Sequence, residues 1–308
     1  MPFLLLNGRK PRWLGDLMRL AQKHGCECCT TGSEYRIAEA LTGLAGNGDG
    51  FAGILGGDGS IQQYLTAALR RNLAAELTVA PLGGGTMEQL LNWLGWKGTP
   101  PQIASQVIQA HQWGKLRTRE VPLLQVEHDG KVHYGFMFLV GPLVRLLNKY
   151  DREGRSVWRA CATAGWSSLA ALTGWPRRYQ RLIHPAQTEI TLDGHPRDNF
   201  KSPTIVIASM FDRMVFRFRP FLPAGDSPES GKFFTILSDL SPFEIVARIP
   251  LFHQGRVPES LHLLNHPGSR LTVKTAEKFC TVDGELIPIK PGEPITITIG
   301  PTVKLVVP

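Results

Sequence analysis

Phe51-Ala52-Gly53-Ile54-Leu55-Gly56-Gly57-Asp58-Gly59-Ser60 runs an apolar stretch straight into a glycine loop. Behind it, Ile61, Leu65, Ala68 and Leu69 recur at helical spacing on one face. A buried strand that turns on glycine into a helix is the opening of an α/β unit. Such a loop suits phosphate, because backbone N–H groups and the helix dipole face an anion there and glycine lets the backbone approach it. Asp58 beside a phosphate would be repelled unless a divalent cation or a proton lay between them. It therefore reads as a metal anchor or a general base, and the plain alternative is a tight turn with Asp58 capping its helix.

Outward from that loop the same alternation continues. Strands are expected at 3–6, 26–30, 51–55 and 77–80, and helices at 13–23, 34–44, 87–94 and 102–112. The pattern predicts a Rossmann-like, mostly parallel sheet with helices on both faces. Gly83-Gly84-Gly85 forms a second glycine loop after the fourth strand. Open α/β sheets bind ligands at the carboxyl ends of neighbouring strands, where both loops fall. After Leu116 the character changes to closely spaced strands without regular helices between them. Strands are expected at 121–127, 132–140, 189–192, 204–209, 215–218, 233–237, 271–274 and 278–282, with helices at 142–173 and 242–252. Ile295, Ile297 and Ile299 alternate with Thr296 and Thr298 in a final strand. The fold class expected is thus α/β plus all-β: a nucleotide-binding α/β domain over 1–116 and an antiparallel β-sandwich over 117–308. The last strand is a candidate to return to the first domain.

The chain has 308 residues, 43% hydrophobic and 19% charged, which excludes wholesale disorder. Its formal charge of +8 favours anionic partners. No run approaches the ~18 apolar residues of a membrane span. The apolar run after Met1 is too short for a secretory signal, so a cytoplasmic location is expected. Five cysteines, an odd number, fit a reducing compartment. Cys26, Cys28 and Cys29 lack a second ligand pair at zinc spacing and read as small hydrophobes on a strand.

Three stretches carry a family resemblance: Ile54 to Ser60, then Pro81-Leu82-Gly83-Gly84-Gly85-Thr86, then Val282-Asp283-Gly284-Glu285. In order and separation they resemble the GGDGT, PLGTGND and DGE motifs of the diacylglycerol kinase catalytic superfamily, which includes bacterial lipid kinases, sphingosine kinases and ceramide kinases. Asn7 stands where that family has an Asn-Pro, and Thr31 where it has a threonine after the second strand. Thr86-Met87 replaces the family's Asn-Asp, with Glu88 a shifted carboxylate. Arg119-Glu120-Val121-Pro122, Gly141-Pro142-Leu143 and Glu229-Ser230-Gly231 depart from other family segments.

The resemblance implies an ATP-dependent lipid kinase that uses Mg²⁺ and phosphorylates a diacylglycerol-, sphingoid- or ceramide-like hydroxyl. Asp58, Gly56, Gly57 and Gly59 would hold the phosphates and their cation, with Ser60, Gly83 and Gly85 beside them. Asn7, Thr31, Gly84 and Thr86 would line the nucleotide. Asp283 would be the general base and Glu285 its supporting carboxylate. The alternatives are an NAD kinase-like enzyme, or a nucleotide- or lipid-binding regulator without turnover. The partner expected is a lipid at a membrane surface, with peripheral attachment, no nucleic acid, and a homodimer left open. Trp158, Trp166 and Trp175 near Arg177, Arg178 and Arg181 fit a membrane interface as well as they fit a packed helix. Phe216, Phe218 and Phe221 interleaved with Arg213, Arg217 and Arg219 read as a half-buried strand.

Overall fold

The computed structural model describes residues 3–7, 11–31, 50–73, 77–85, 88–152, 184–213, 219–221, 231–256 and 259–308. The helix expected at 34–44, the strand expected at 215–218, and the insertion beyond residue 152 with its tryptophans and arginines lie outside the described residues. So do Thr86, Met87, Glu229 and Ser230. The chain divides into two compact units, Met1–Leu123 with Pro301–Pro308, and Leu124–Gly300. The sequence reading set that division at 116/117.

In the first unit β1 (Phe3–Asn7), α1 (Pro11–His24), β2 (Glu27–Thr31), β3 (Phe51–Gly56), α2 (Asp58–Leu69), β4 (Thr78–Gly84), α3 (Gln89–Leu94) and α4 (Pro100–Gln112) alternate as expected. The strands run parallel in the order β2-β1-β3-β4. Leu4, Leu5 and Leu6 are all buried, as strands of a parallel sheet must be when helices cover both faces. On α1 the buried pair is Leu17 and Ala21, one turn apart. On α2 the buried face is Ile61, Tyr64, Leu65 and Ala68, with Tyr64 taking the place expected for Leu69. Thr99 and Gln102 form a capping box that starts α4. Lys304 and Leu305 of the chain's last strand pair in parallel with Thr78 and Val79, adding a fifth strand. Trp96 fixes that strand by donating Nε1–H to the Val306 carbonyl at 3.0 Å.

The second unit starts within β5 (Thr118–His128) and holds β6 (Lys131–Gly135), β7 (Met137–Val140), α5 (Pro142–Arg152), β8 (Thr188–Leu192), β9 (His195–Pro196), β10 (Ile205–Ser209), β11 (Phe233–Ser238), α6 (Pro242–Gln254), β12 (Leu263–Gly268), β13 (Arg270–Thr275), β14 (Phe279–Val282), β15 (Glu285–Pro288) and β16 (Pro294–Val306) up to Gly300. It is a β-sandwich. One sheet has the order β12-β11-β10-β7-β14-β15, antiparallel throughout. In the other, β13 pairs with β8 and with residues 294–298 of β16, and β5 pairs with β6.

The first of these sheets buries both faces. Its cross-strand row Thr235, Ala208, Phe138 and Val282 lies on one face, and the row Ile236, Ile207, Leu139 and Thr281 on the other. The second face joins Val144 of α5, Phe252 of α6 and Phe221 in one apolar cluster. β10 and β11 therefore read as unbroken apolar runs rather than as alternation. Two expectations change here. The single strand expected at 132–140 is two strands broken at Phe136, and the break moves the chain from one sheet to the other. Nothing in the sequence marks β12, because Pro267 inside it argues against a central strand; β12 is the edge strand, where proline is tolerated. Cys28 is exposed on edge strand β2 rather than buried, and partial burial with the neighbouring Cys26 and Cys29 pushes its thiol up to about 11. Among the described residues no helix is long and apolar enough to cross a membrane.

Candidate active site

The carboxyl ends of the parallel strands gather most of the expected positions. Asn7 ends β1 opposite Thr31 at the end of β2, and Gly56 ends β3 opposite Gly84 of β4. Strand order reverses between β1 and β3, and it is at the carboxyl ends beside such a switch point that open α/β sheets bind ligands. Asn7 Nδ2–H donates to Ser60 Oγ at 3.1 Å and ties the first turn of α2 to the end of β1. A Cβ on Gly56 would stand 2.5 Å from that same Ser60 Oγ. The two glycine loops also touch: a Cβ on Gly85 would come within 2.5 Å of Gly57 Cα, and one on Gly57 within 3.0 Å of Gly85 Cα. Glycines expected to admit a ligand here admit each other's backbone.

Asp58 is held across that junction. Its Oδ2 accepts from the Gln89 N–H at 2.9 Å and its Oδ1 from the Leu90 N–H at 3.1 Å. It does cap a helix, but the helix is α3, 31 residues away, not its own. Burial pushes the Asp58 carboxyl above its ordinary range; the bonds from Gln89 and Leu90 oppose that rise, and the nearby Glu88 charge adds to it. Carboxyls shifted by burial and a neighbouring charge cluster at functional sites, and this one lies beside both glycine loops. Glu88 adopts left-handed backbone, φ 48 and ψ 44. Its Oε1 accepts from the Gly84 N–H at 2.6 Å, so the shifted carboxylate folds back onto the second loop.

Asp283 and Glu285 belong to the second unit. Asp283, φ 50, and Gly284, φ 82, are the two turn residues of a tight hairpin that pairs Val282 with Glu285. Asp283 thus lies in a turn and not on a strand face shared with Glu285. Its carboxylate accepts from the Phe136 N–H at 2.9 Å and the Met137 N–H at 2.8 Å. That is the point where the chain passes from β6 to β7 and changes sheets. Sequence reasoning missed this partnership and the one at Gln89 and Leu90. A glutamate or aspartate near a glycine turn is the only local sign of either.

Among the described residues the donor set does not fit a magnesium site built by protein side chains alone. Among the described residues no three His, Cys, Asp or Glu side chains converge as metal ligands. Asp58 and Glu88 each spend carboxylate oxygens on backbone N–H groups.

Residues 7–118 match the family model of the diacylglycerol kinase catalytic domain, which bears out the resemblance and spans the first two of its motifs; Val282–Glu285 lies beyond the matched residues. Two solved structures share the fold. A putative diacylglycerol kinase from Bacillus anthracis str. Sterne is 13% identical, with a TM-score of 0.68, covering 99% of this chain and 96% of that one. Another structure described as a putative diacylglycerol kinase from the same organism is 14% identical, with a TM-score of 0.64 and the same coverage. Comparison with curated proteins finds no match.

Proposed function

With residues 7–118 matching the diacylglycerol kinase catalytic domain, we propose that the protein is a lipid kinase that transfers the γ-phosphate of ATP to a lipid hydroxyl. The observation that carries this is the pair of glycine loops packed side by side at the carboxyl ends of β3 and β4, next to Asn7 and Ser60. Phosphoryl transfer asks a protein for positioned charge and backbone donors more than for covalent chemistry. Gly56, Gly57, Gly59, Ser60, Gly83, Gly84, Gly85 and Thr86 supply that cradle in this reading, and Asn7 and Thr31 border the nucleotide. Asp283 takes the acceptor proton with Glu285 in support. Mg²⁺ arrives on the ATP phosphates rather than on protein ligands. The acceptor is diacylglycerol-, sphingoid- or ceramide-like, reached at an anionic membrane surface to which a chain of charge +8 is drawn.

One observation favours a second reading. The carboxylates of Asp58, Glu88 and Asp283 are all bonded to backbone N–H groups, as they would be in a nucleotide- or lipid-binding regulator without turnover. Incubating the protein with γ-labelled ATP, Mg²⁺ and a lipid extract separates the two. Labelled lipid supports the kinase, nucleotide binding without transfer supports the regulator, and label on added NAD sinks both.

A further inference from the structure

The second glycine loop already holds an anion, and the anion is the protein's own. Gly83 and Gly84 have φ values of 85 and 102, left-handed backbone that leaves the Gly84 N–H free of the strand ladder's usual course and aimed at the Glu88 carboxylate. The Glu88 side chain lies along them. Its Oε1 is 2.6 Å from the Gly84 nitrogen, and a Cβ built on Gly83 would meet the same oxygen at 2.9 Å. Its Cγ would stand 3.6 Å from a Cβ on Gly85. A carboxylate oxygen and a phosphoryl oxygen are the same kind of acceptor for a backbone N–H. Holding Glu88 there is unfavourable in two ways: a residue with a Cβ takes left-handed backbone, and its charge lies near that of the buried Asp58.

We propose that the Glu88 carboxylate occupies the seat of a phosphoryl oxygen on the Gly83–Gly85 loop and must be displaced when a phosphate-bearing ligand binds. Naming that ligand as a nucleotide rests on the phosphoryl-transfer reading above. Glu88 is then a gate that sets anion affinity and disfavours weakly charged competitors.

The test is calorimetric titration of the full chain with inorganic pyrophosphate and with ATP, for wild type, Glu88→Gln and Glu88→Ala. Removing a charge-assisted competitor should tighten pyrophosphate binding about tenfold in Glu88→Ala. Glu88→Gln should fall between, because it keeps an acceptor for the Gly84 N–H but no charge. The glutamine variant also covers the case in which the alanine variant fails to fold. Unchanged or weaker affinity in the folded variants overturns the proposal and leaves Glu88 as a clip for its loop. If ATP binds and is consumed equally in all three, the gate is wrong while the kinase reading stands. If the variants bind pyrophosphate more tightly yet no protein transfers phosphate, the gate stands and the kinase reading falls.

Discussion

The loop around Asp58 in the first unit and the hairpin around Asp193 in the second hold an aspartate by the same device. In each, the carboxylate accepts two consecutive backbone N–H groups: Gln89 and Leu90 for Asp58, Ser269 and Arg270 for Asp193. Their acidities nevertheless move in opposite directions. Burial is the largest influence on both. At Asp193 the Ser269 hydroxyl, the Ser269 and Arg270 N–H groups and the Lys232 charge together outweigh it and hold the carboxyl below its usual range. At Asp58 deeper burial prevails over the two bonds and pushes the carboxyl up. The bonds favour the charged carboxylate at both sites; the depth of burial decides which way each acidity moves. Asp283 copies the hairpin: φ 50 followed by a glycine at 82, against 52 and 81 at Asp193 and Gly194. Its carboxylate staples the change of sheet at Phe136 and Met137, where that of Asp193 also takes the Ser269 hydroxyl.

The sharpest way to break that likeness is activity. Asp283→Ala should lose about 10²–10⁴-fold in lipid phosphorylation with ATP affinity little changed, the usual contribution of a base. Asp193→Ala should leave turnover intact. If both variants keep wild-type turnover, Asp283 is a staple and nothing more. Next in size, Asp58→Asn should lower turnover by ~100-fold or more, read by labelled phosphate transfer, because it loosens the bonds from Gln89 and Leu90 that hold the two glycine loops in place. It also sets an amide NH₂ against a backbone N–H, so chemical denaturation should show a stability loss of about 1–3 kcal/mol. Turnover near wild type would reduce the first glycine loop to a turn. Smaller again, Asp193→Ala should cost about 0.5–1.5 kcal/mol, because the freed Ser269 and Arg270 donors lie where water can reach them.

The smallest effect is the pH profile, and it tests the opposition itself. A carboxyl raised above its ordinary 3.8 contributes stability below that value, lost as pH rises through its folded-state pKa. A carboxyl lowered below 3.8 contributes stability above that value, lost as pH falls through its folded-state pKa. Denaturation midpoints across the acid range should therefore lose their decline above 3.8 in Asp58→Asn and soften their decline below it in Asp193→Asn. Parallel profiles in the two variants would contradict the opposite shifts.

Much of the fold was legible because its signals are local. The run from Phe51 to Ser60 carries strand, loop and helix start within ten residues, and the alternation at Ile295 and Ile297 survives as two fully buried side chains. What was hidden depends on partners far along the chain. Gly57 needs Gly85, Asp58 needs Gln89, and Asp283 needs Phe136, and none of these pairings has a spacing rule. The break at Phe136 was hidden for a related reason. An apolar residue inside an apolar run looks the same whether the strand continues or changes sheets.

The last strand has a consequence for synthesis. Its residues 304 and 305 complete the first unit's sheet beside Thr78 and Val79, yet they are made after all of Leu124–Gly300. At ~5–20 residues per second, β4 waits on the order of ten seconds or more with one edge unpaired. Through that interval it offers open N–H and C=O groups to any passing strand, the ordinary route to aggregation on or near the ribosome. Yield of intact protein should thus be more sensitive to changes at Val303–Val306 than their distance from either glycine loop in sequence would suggest, and a chaperone that covers that edge should raise it.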